Sequence, residues 1–407
     1  MLTSRRGMVL SLTLSALISL AGCGGKPETP GVPDNGTKPE TPAARKPAKV
    51  LIGVLLPTTG PDAAKGQAVL MGLKLAVKQK GGPLGLDESS FEIKDCGQTG
   101  ADVVALARGI IDVEGANALV GPLDEKSVEA IEEFGRQKQV PIFTPASGAM
   151  KLGQLDCTVR RLTFTDEEEG AAMAELAYKK GWREASALVD VASAAAQARV
   201  VGFADRFQRL GGHVLPQVSY SAGDKDFSVT LRRAGFHRPA PDVYYLAGAR
   251  AESAAILEEM KAQKTFGAVL GSSEWTKSPN FVEGSGEFPV EVSAASTVLV
   301  PCRFFAASTE GATAEFVRTL KAGYQREPDA YTAFGYDAGL VIIDALMRGP
   351  STGLAAGGSL AERVGTTKLL PGASGRLTAR TWSVAGQVTL LRLKGTSFEF
   401  DSVVEVK

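Results

Sequence analysis

The chain has 407 residues, 44% hydrophobic and 22% charged, which is ordinary globular composition and enough material for two or three domains. Its 45 basic and 45 acidic side chains cancel, which argues against a nucleic-acid binder. With 2 histidines and 4 dispersed cysteines it has neither a zinc module nor a disulfide framework, and no metal site is expected. From the amino terminus, Arg5 and Arg6 precede an uncharged apolar run over residues 7–20. That run is shorter than the ~20 residues a membrane span needs and suits the core of a signal peptide. It ends in Leu20-Ala21-Gly22-Cys23. Residues 24–48 are rich in Pro, Gly, Thr and Lys, and Lys26-Pro27-Glu28-Thr29-Pro30 returns as Lys38-Pro39-Glu40-Thr41-Pro42. Such a stretch buries too little surface to fold, and its prolines keep it extended, as in a tether.

From residue 49 the pattern becomes strand, turn, helix, repeated. Residues 50–56 form a continuous apolar run, as in a strand covered on both faces, and Pro57-Thr58-Thr59-Gly60-Pro61 ends it. Asp62 is placed to cap a helix reaching Lys80, with Val69, Leu70, Leu73, Ala76 and Val77 on one face. Strands are expected at 91–93, 118–123 and 140–144, with helices between them around 103–111 and 128–137. A second series follows: helices at 173–180, 195–210, 227–234 and 253–264, and strands at 186–190, 214–220, 243–246, 268–270 and 297–300. Asp166-Glu167-Glu168-Glu169 suits a helix start, because carboxylates favour that end of the helix dipole. Helices at 316–324 and 336–348 come late, and 375–378 with 388–393 are expected as antiparallel strands around a turn at Gly386. Repeated βαβ units specify an α/β fold with doubly wound parallel sheets and right-handed crossovers.

Leu20-Ala21-Gly22-Cys23 resembles the lipobox of bacterial lipoproteins. The resemblance implies cleavage after residue 22, diacylation of Cys23, and attachment to the periplasmic face of a bacterial membrane through the lipid alone. The body resembles the type I periplasmic binding proteins, specifically the Leu/Ile/Val-binding family. The stretches that carry this are residues 52–61, 66–77, 120–123, 140–146, 224–228 and 241–245, and Tyr336-Asp337-Ala338. The family implies two doubly wound lobes joined by a three-crossing hinge, with residues 49–158 and 304–370 in lobe 1 and residues 159–303 and 371–407 in lobe 2. The crossings would lie near 158–162, 300–304 and 371–376, and the helices at 316–348 would complete lobe 1. A small polar, amino-acid-like ligand would be captured between the lobes for an ABC-type permease.

In open α/β sheets, ligands sit beyond the carboxyl ends of the strands, where helix N-termini favour anions. The loop candidates are Thr58, Gln98, Ser127, Thr144, Ala146 and Ser147. The family implies that such hydroxyls and main-chain N–H groups hold a ligand carboxylate, while an acid on lobe 2, here Glu274, holds its ammonium with Trp275 as a wall. Several positions depart from the family pattern. Asp124-Glu125-Lys126 stands in place of a serine pair, Gly148 in place of a threonine, and Val191-Ala192-Ser193-Ala194-Ala195 and Ala247-Gly248-Ala249 where aromatics are usual. Residues 271–284, with Glu327-Pro328-Asp329, also resemble the penicillin-binding-protein activator lipoproteins of the same fold, which would make a peptidoglycan synthase the partner. Cys157 and Cys302 flank the first two crossings, and a disulfide between them is one expectation and free thiols the other. The chain lacks Walker A, H-E-x-x-H, G-x-S-x-G and Rossmann glycine motifs, so neither enzyme nor cofactor is expected.

Overall fold

The structure is a computed structural model that describes residues 50–98, 100–146, 158–234, 240–263, 267–277, 283–293, 296–308, 311–349, 359–380 and 383–405. Cys23, the tether, Ser147 and Cys157 lie outside the described residues.

The first sheet is built in chain order from β1 (Ile52–Leu56), β2 (Phe91–Asp95), β3 (Ala118–Val120), β4 (Ile142–Thr144) and β5 (Val159–Arg161), arranged β2-β1-β3-β4-β5. All pairings are parallel. The connections are α1 (Ala63–Lys80), α2 (Val103–Arg108), which widens into a π turn at Gly109–Val113, and α3 (Glu125–Lys138). β1 explains its own apolar run. Ile52, Val54 and Leu56 enter the core on one face of the sheet, while Leu55 joins Ile110, Val128 and Ile131 on the other. Asp62 stands at the N-cap of α1 but makes no cap hydrogen bond, because its Oδ1 accepts from Lys65 Nζ at 2.7 Å instead.

The chain leaves the first core at Leu162 and enters a second at Phe164. There α4 (Asp166–Lys179), β6 (Glu184–Asp190), α5 (Ala194–Arg209), β7 (His213–Val214), β8 (Val218–Tyr220), α6 (Ser228–Arg233), β9 (Val243–Leu246), α7 (Arg250–Ala262), β10 (Ala268–Leu270) and β11 (Val298–Cys302) follow in order. The expected strand over 214–220 is thus two short strands, both on β6. Past β11 the chain returns to the first core with α8 (Gly311–Tyr324), α9 (Ala330–Met347) and α10 (Leu360–Val364). α9 is long and apolar enough to cross a membrane by length and composition, but 83% of it is buried inside the lobe.

Three boundaries differ from the sequence expectation. β5 belongs to the first sheet through its pairing with β4, so the first lobe extends past 158 to Arg161. The short ribbon β12 (Leu370–Pro371) and β13 (Arg376–Leu377) is followed by residues that still pack in the first core, Leu377 and Val384 among them. The third crossing therefore lies between Val384 and Val388, beyond 371–376. Last, the terminal hairpin is β14 (Gln387–Lys394) with β15 (Ser397–Glu405), turning near Gly395 rather than at Gly386, and it extends the second sheet as β15-β14-β11-β10-β9-β6-β7.

The ribbon stays with lobe 1 because Asp337 of α9 holds it. Its fully buried carboxylate accepts from Ala373 N at 2.5 Å, Ser374 N at 3.0 Å and Ser374 Oγ at 2.5 Å. Burial pushes this carboxyl up to about 6 despite those bonds. In the unfolded chain an aspartate titrates near 3.9. The folded state thus binds the extra proton between these values, so stability rises as pH falls from about 6 toward 4 and the penalty is complete above 6. We expect this group alone to contribute about 3 kcal/mol over that window. Urea midpoints at pH 4.5 and 7.5 measure it, and Asp337→Asn should flatten that part of the pH profile.

Candidate functional site

The carboxyl ends of β1, β2 and β3 open onto a cavity of about 290 Å3 whose lining includes Asp62, Lys65, Cys96, Asp124, Glu125 and Tyr331. This is where a doubly wound sheet places a ligand. Tyr331, on α9, closes one side of this lining. Burial pushes its phenol up, while Lys65 of lobe 1 and Arg303, which follows β11, pull it down and Glu283 of lobe 2 adds to the rise. Lys65 Nζ lies 5.9 Å from the centre of the Tyr331 ring.

Several of the lobe-1 donors expected for a ligand carboxylate are already used. Thr58 N donates to Asp95 Oδ1 at 2.8 Å, and Asp95 also accepts from Thr59 Oγ1 at 2.5 Å and Gly97 N at 2.9 Å. These bonds, the Thr59 hydroxyl first, hold the Asp95 carboxyl well below the usual carboxylate range. Gln98 is exposed just beyond this loop. Ser127 N donates to Asp124 Oδ1 at 2.9 Å, so Asp124 rather than Ser127 caps α3. Thr144 is fully buried. Its Oγ1 donates to Pro122 O at 2.7 Å and accepts from Ala146 N at 3.1 Å, which ties the loop after β4 to the loop after β3. A hydroxyl and an N–H that satisfy each other inside the protein are not offered to a ligand, so Thr144 and Ala146 act as loop fasteners.

On lobe 2 the structure builds a buried ion network that the sequence reading missed. Arg199 of α5 is 2% exposed. Its Nη2 lies 2.6 Å from Asp166 Oδ1 and 3.1 Å from Glu274 Oε1, its Nε is 3.2 Å from Glu169 Oε1, and its Nη1 donates to Ala247 O at 3.2 Å. Glu169 in turn accepts from Ser273 N at 3.0 Å and Ser273 Oγ at 2.6 Å, which locks the turn carrying Glu274. Asp166-Glu167-Glu168-Glu169 does start a helix, with Glu168 completing a capping box on Thr165. Asp166 and Glu169 point inward, however. A signal for Arg199 was present: Ala196, Val200, Phe203 and Phe207 form the buried stripe of α5, and residue 199 falls on it.

Glu274 is therefore not an empty receptor for a cation. Burial would push its carboxyl up, but Lys277, 2.7 Å away, and Arg199 hold it below its ordinary value. Trp275 forms no wall at the strand ends. It is fully buried and stacks on Phe288 at 5.1 Å inside the lobe-2 core, because the short turn at Ser273–Trp275 swings it away from the strand ends. Among the described residues Cys302 is a free thiol; Cys157, its expected partner, lies outside them. The Cys302 Sγ is turned onto Phe304 O at 3.2 Å and Glu283 Oε2 at 3.4 Å.

A sequence profile described as periplasmic binding protein matches residues 49–394. The chain belongs to that family. Its relatives carry the Leu/Ile/Val-binding name: BraC3 of Rhizobium johnstonii is 26% identical over 232 residues, covering 55% of this chain and 61% of that protein. The matched part is thus less than two thirds of this curated relative's length. Among solved structures, the leucine binding protein LivK of Thermotoga maritima is 29% identical with a TM-score of 0.60, covering 87% of this chain and 98% of that one. A solute binding protein of R. palustris, solved with benzoate, is 20% identical with a TM-score of 0.58, covering 88% of this chain and 97% of that one. This periplasmic binding protein shares the type I α/β architecture with both.

Proposed function

We propose that this periplasmic binding protein captures a small polar solute between its two lobes and presents it to an ABC-type permease, without catalysing a reaction. The observation that carries the reading is the cavity at the carboxyl ends of β1, β2 and β3, lined by Lys65 of α1 and Tyr331 of α9, in a chain of the periplasmic binding-protein family. Family membership supports an extracytoplasmic location, and the lipobox-like Leu20-Ala21-Gly22-Cys23 supports a lipid tether there. The relatives' names point to a branched-chain amino acid or, from the benzoate complex, to a carboxylic acid as the class of ligand. A solute that touches both lobes stabilises the closed arrangement by its differential affinity for it. Protein purified from its own host and sprayed under native conditions should carry a releasable small molecule, and adding that molecule back should raise the melting temperature and compact the protein in solution scattering. An empty chain, unmoved by a broad solute panel yet retained on an immobilised peptidoglycan synthase, would instead favour the activator-lipoprotein reading.

A further inference from the structure

The second crossing carries an unspent cation. Arg303 directly follows β11, at the carboxyl end of that strand, and its backbone N–H donates to Glu283 Oε2 at 2.7 Å. Its side chain is half-buried, its Nε is sealed from solvent with no acceptor, and among the described residues its guanidinium makes no hydrogen bond and no ion pair. Three carboxylates, Asp166, Glu274 and Glu283, lie within its electrostatic range, but each is committed elsewhere. Asp166 and Glu274 are bonded to Arg199, and Glu283 to the backbone of Arg303 and Phe304. These acids offset the charge of Arg303 without using its donors, and a guanidinium fork with open donors suits a planar oxyanion.

The strand ends of lobe 1 show the converse. Asp124 and Glu125 line the lobe-1 cavity, and in the neighbouring loop after β4 Thr144 Oγ1 and Ala146 N are already bonded to other groups. We propose that the ligand lies end for end relative to the arrangement expected from the resemblance: its carboxylate is received by Arg303 at the second crossing, any positive end faces Asp124 and Glu125 on lobe 1, and Glu274, filled by Arg199 and Lys277, takes no part in ammonium recognition. The ligand class is a small carboxylate for which an α-ammonium is dispensable. Arg303 is then a specificity-determining residue, and the proposal rests on the solute-binding reading above.

The test is calorimetric titration of the full chain with the standard amino acids, their deamino carboxylic acids and the matching primary amines. At least one carboxylate lacking the amine should bind, and the amines alone should not. Arg303→Met should weaken that binding by about 10- to 100-fold, with Arg303→Lys recovering part of the loss, while Glu274→Gln stays within about threefold. Melting curves of the variants check that each is folded. If Glu274→Gln abolishes binding and Arg303→Met leaves it intact, the proposal falls and the solute-binding reading stands. If nothing in the panel binds, both fall together.

Discussion

Arg199→Met will lower the stability of the folded chain by about 3–5 kcal/mol, because it leaves Asp166 and Glu169 buried without their counter-charge. Asp166 is 7% exposed and Glu169 0%, so neither can turn to water without opening the start of α4. Adding Asp166→Asn and Glu169→Gln to the same variant should recover more than half of the loss, since the penalty comes from the orphaned charges and not from the missing guanidinium contacts. The deficit should also shrink in mild acid. Burial already raises the Asp166 carboxyl while Arg199 opposes that rise, and without Arg199 protonation becomes easier still. Urea denaturation of the single and triple variants measures all of this, and a single variant within about 1 kcal/mol of the parent would count against the network.

Gly72→Ala should be nearly as damaging, although it adds one methyl group. A Cβ at Gly72 of α1 would lie on Thr332 O of α9, and a Cβ at Gly335 of α9 would lie on Val69 O of α1. The two helices approach through backbone on both sides, and backbone cannot step aside as a side chain can. We expect a loss of about 3 kcal/mol for Gly72→Ala and more for Gly72→Val, read from the thermal midpoint. Gly323→Ala is the matched control. It sits exposed in α8 with nothing near its Cβ position, so it should gain about 0.5–1 kcal/mol from helix propensity alone.

The glycine contacts illustrate why parts of this molecule were legible in the sequence and others were not. Strands buried on both faces, such as β1 and β9, announce themselves because every side chain must be apolar wherever it points. β9 sends Tyr244 and Leu246 into one core and Val243 and Tyr245 into the other. β15 was missed because it is an edge strand with Phe400 and Val403 exposed, and its pairing with β14 slips at Leu390/Leu391, so alternation fails over just that stretch. The third crossing was misplaced because Asp337 ties the ribbon to α9, a bond between residues far apart in the chain. At the candidate site, the sequence named loops at the strand ends but could not say which donors were spent. Whether Thr144 Oγ1 faces a ligand or Pro122 O depends on how two separate loops lie against each other. Arg199 was the one hidden residue with a readable sign, a charge on an apolar helical stripe.

The helix crossing of the first lobe also sets an order of assembly. In the second lobe, the corresponding close pair joins α4 and α5, where Gly170 meets Arg199 O and Gly202 meets Glu167 O, and these helices are neighbours in the chain. In the first lobe, α1 must wait for α9: the hydrogen bond from Tyr336 Oη to Gln79 Oε1, 2.6 Å long, spans 257 residues. As the polypeptide emerges amino end first, the α4–α5 pair of the second lobe can dock while the bare backbone face of α1 is still without its cover. The part of the fold made first thus stays open for nearly the whole of synthesis, and until residues 330–347 arrive, it presents an unfinished apolar surface to the proteins that escort nascent chains.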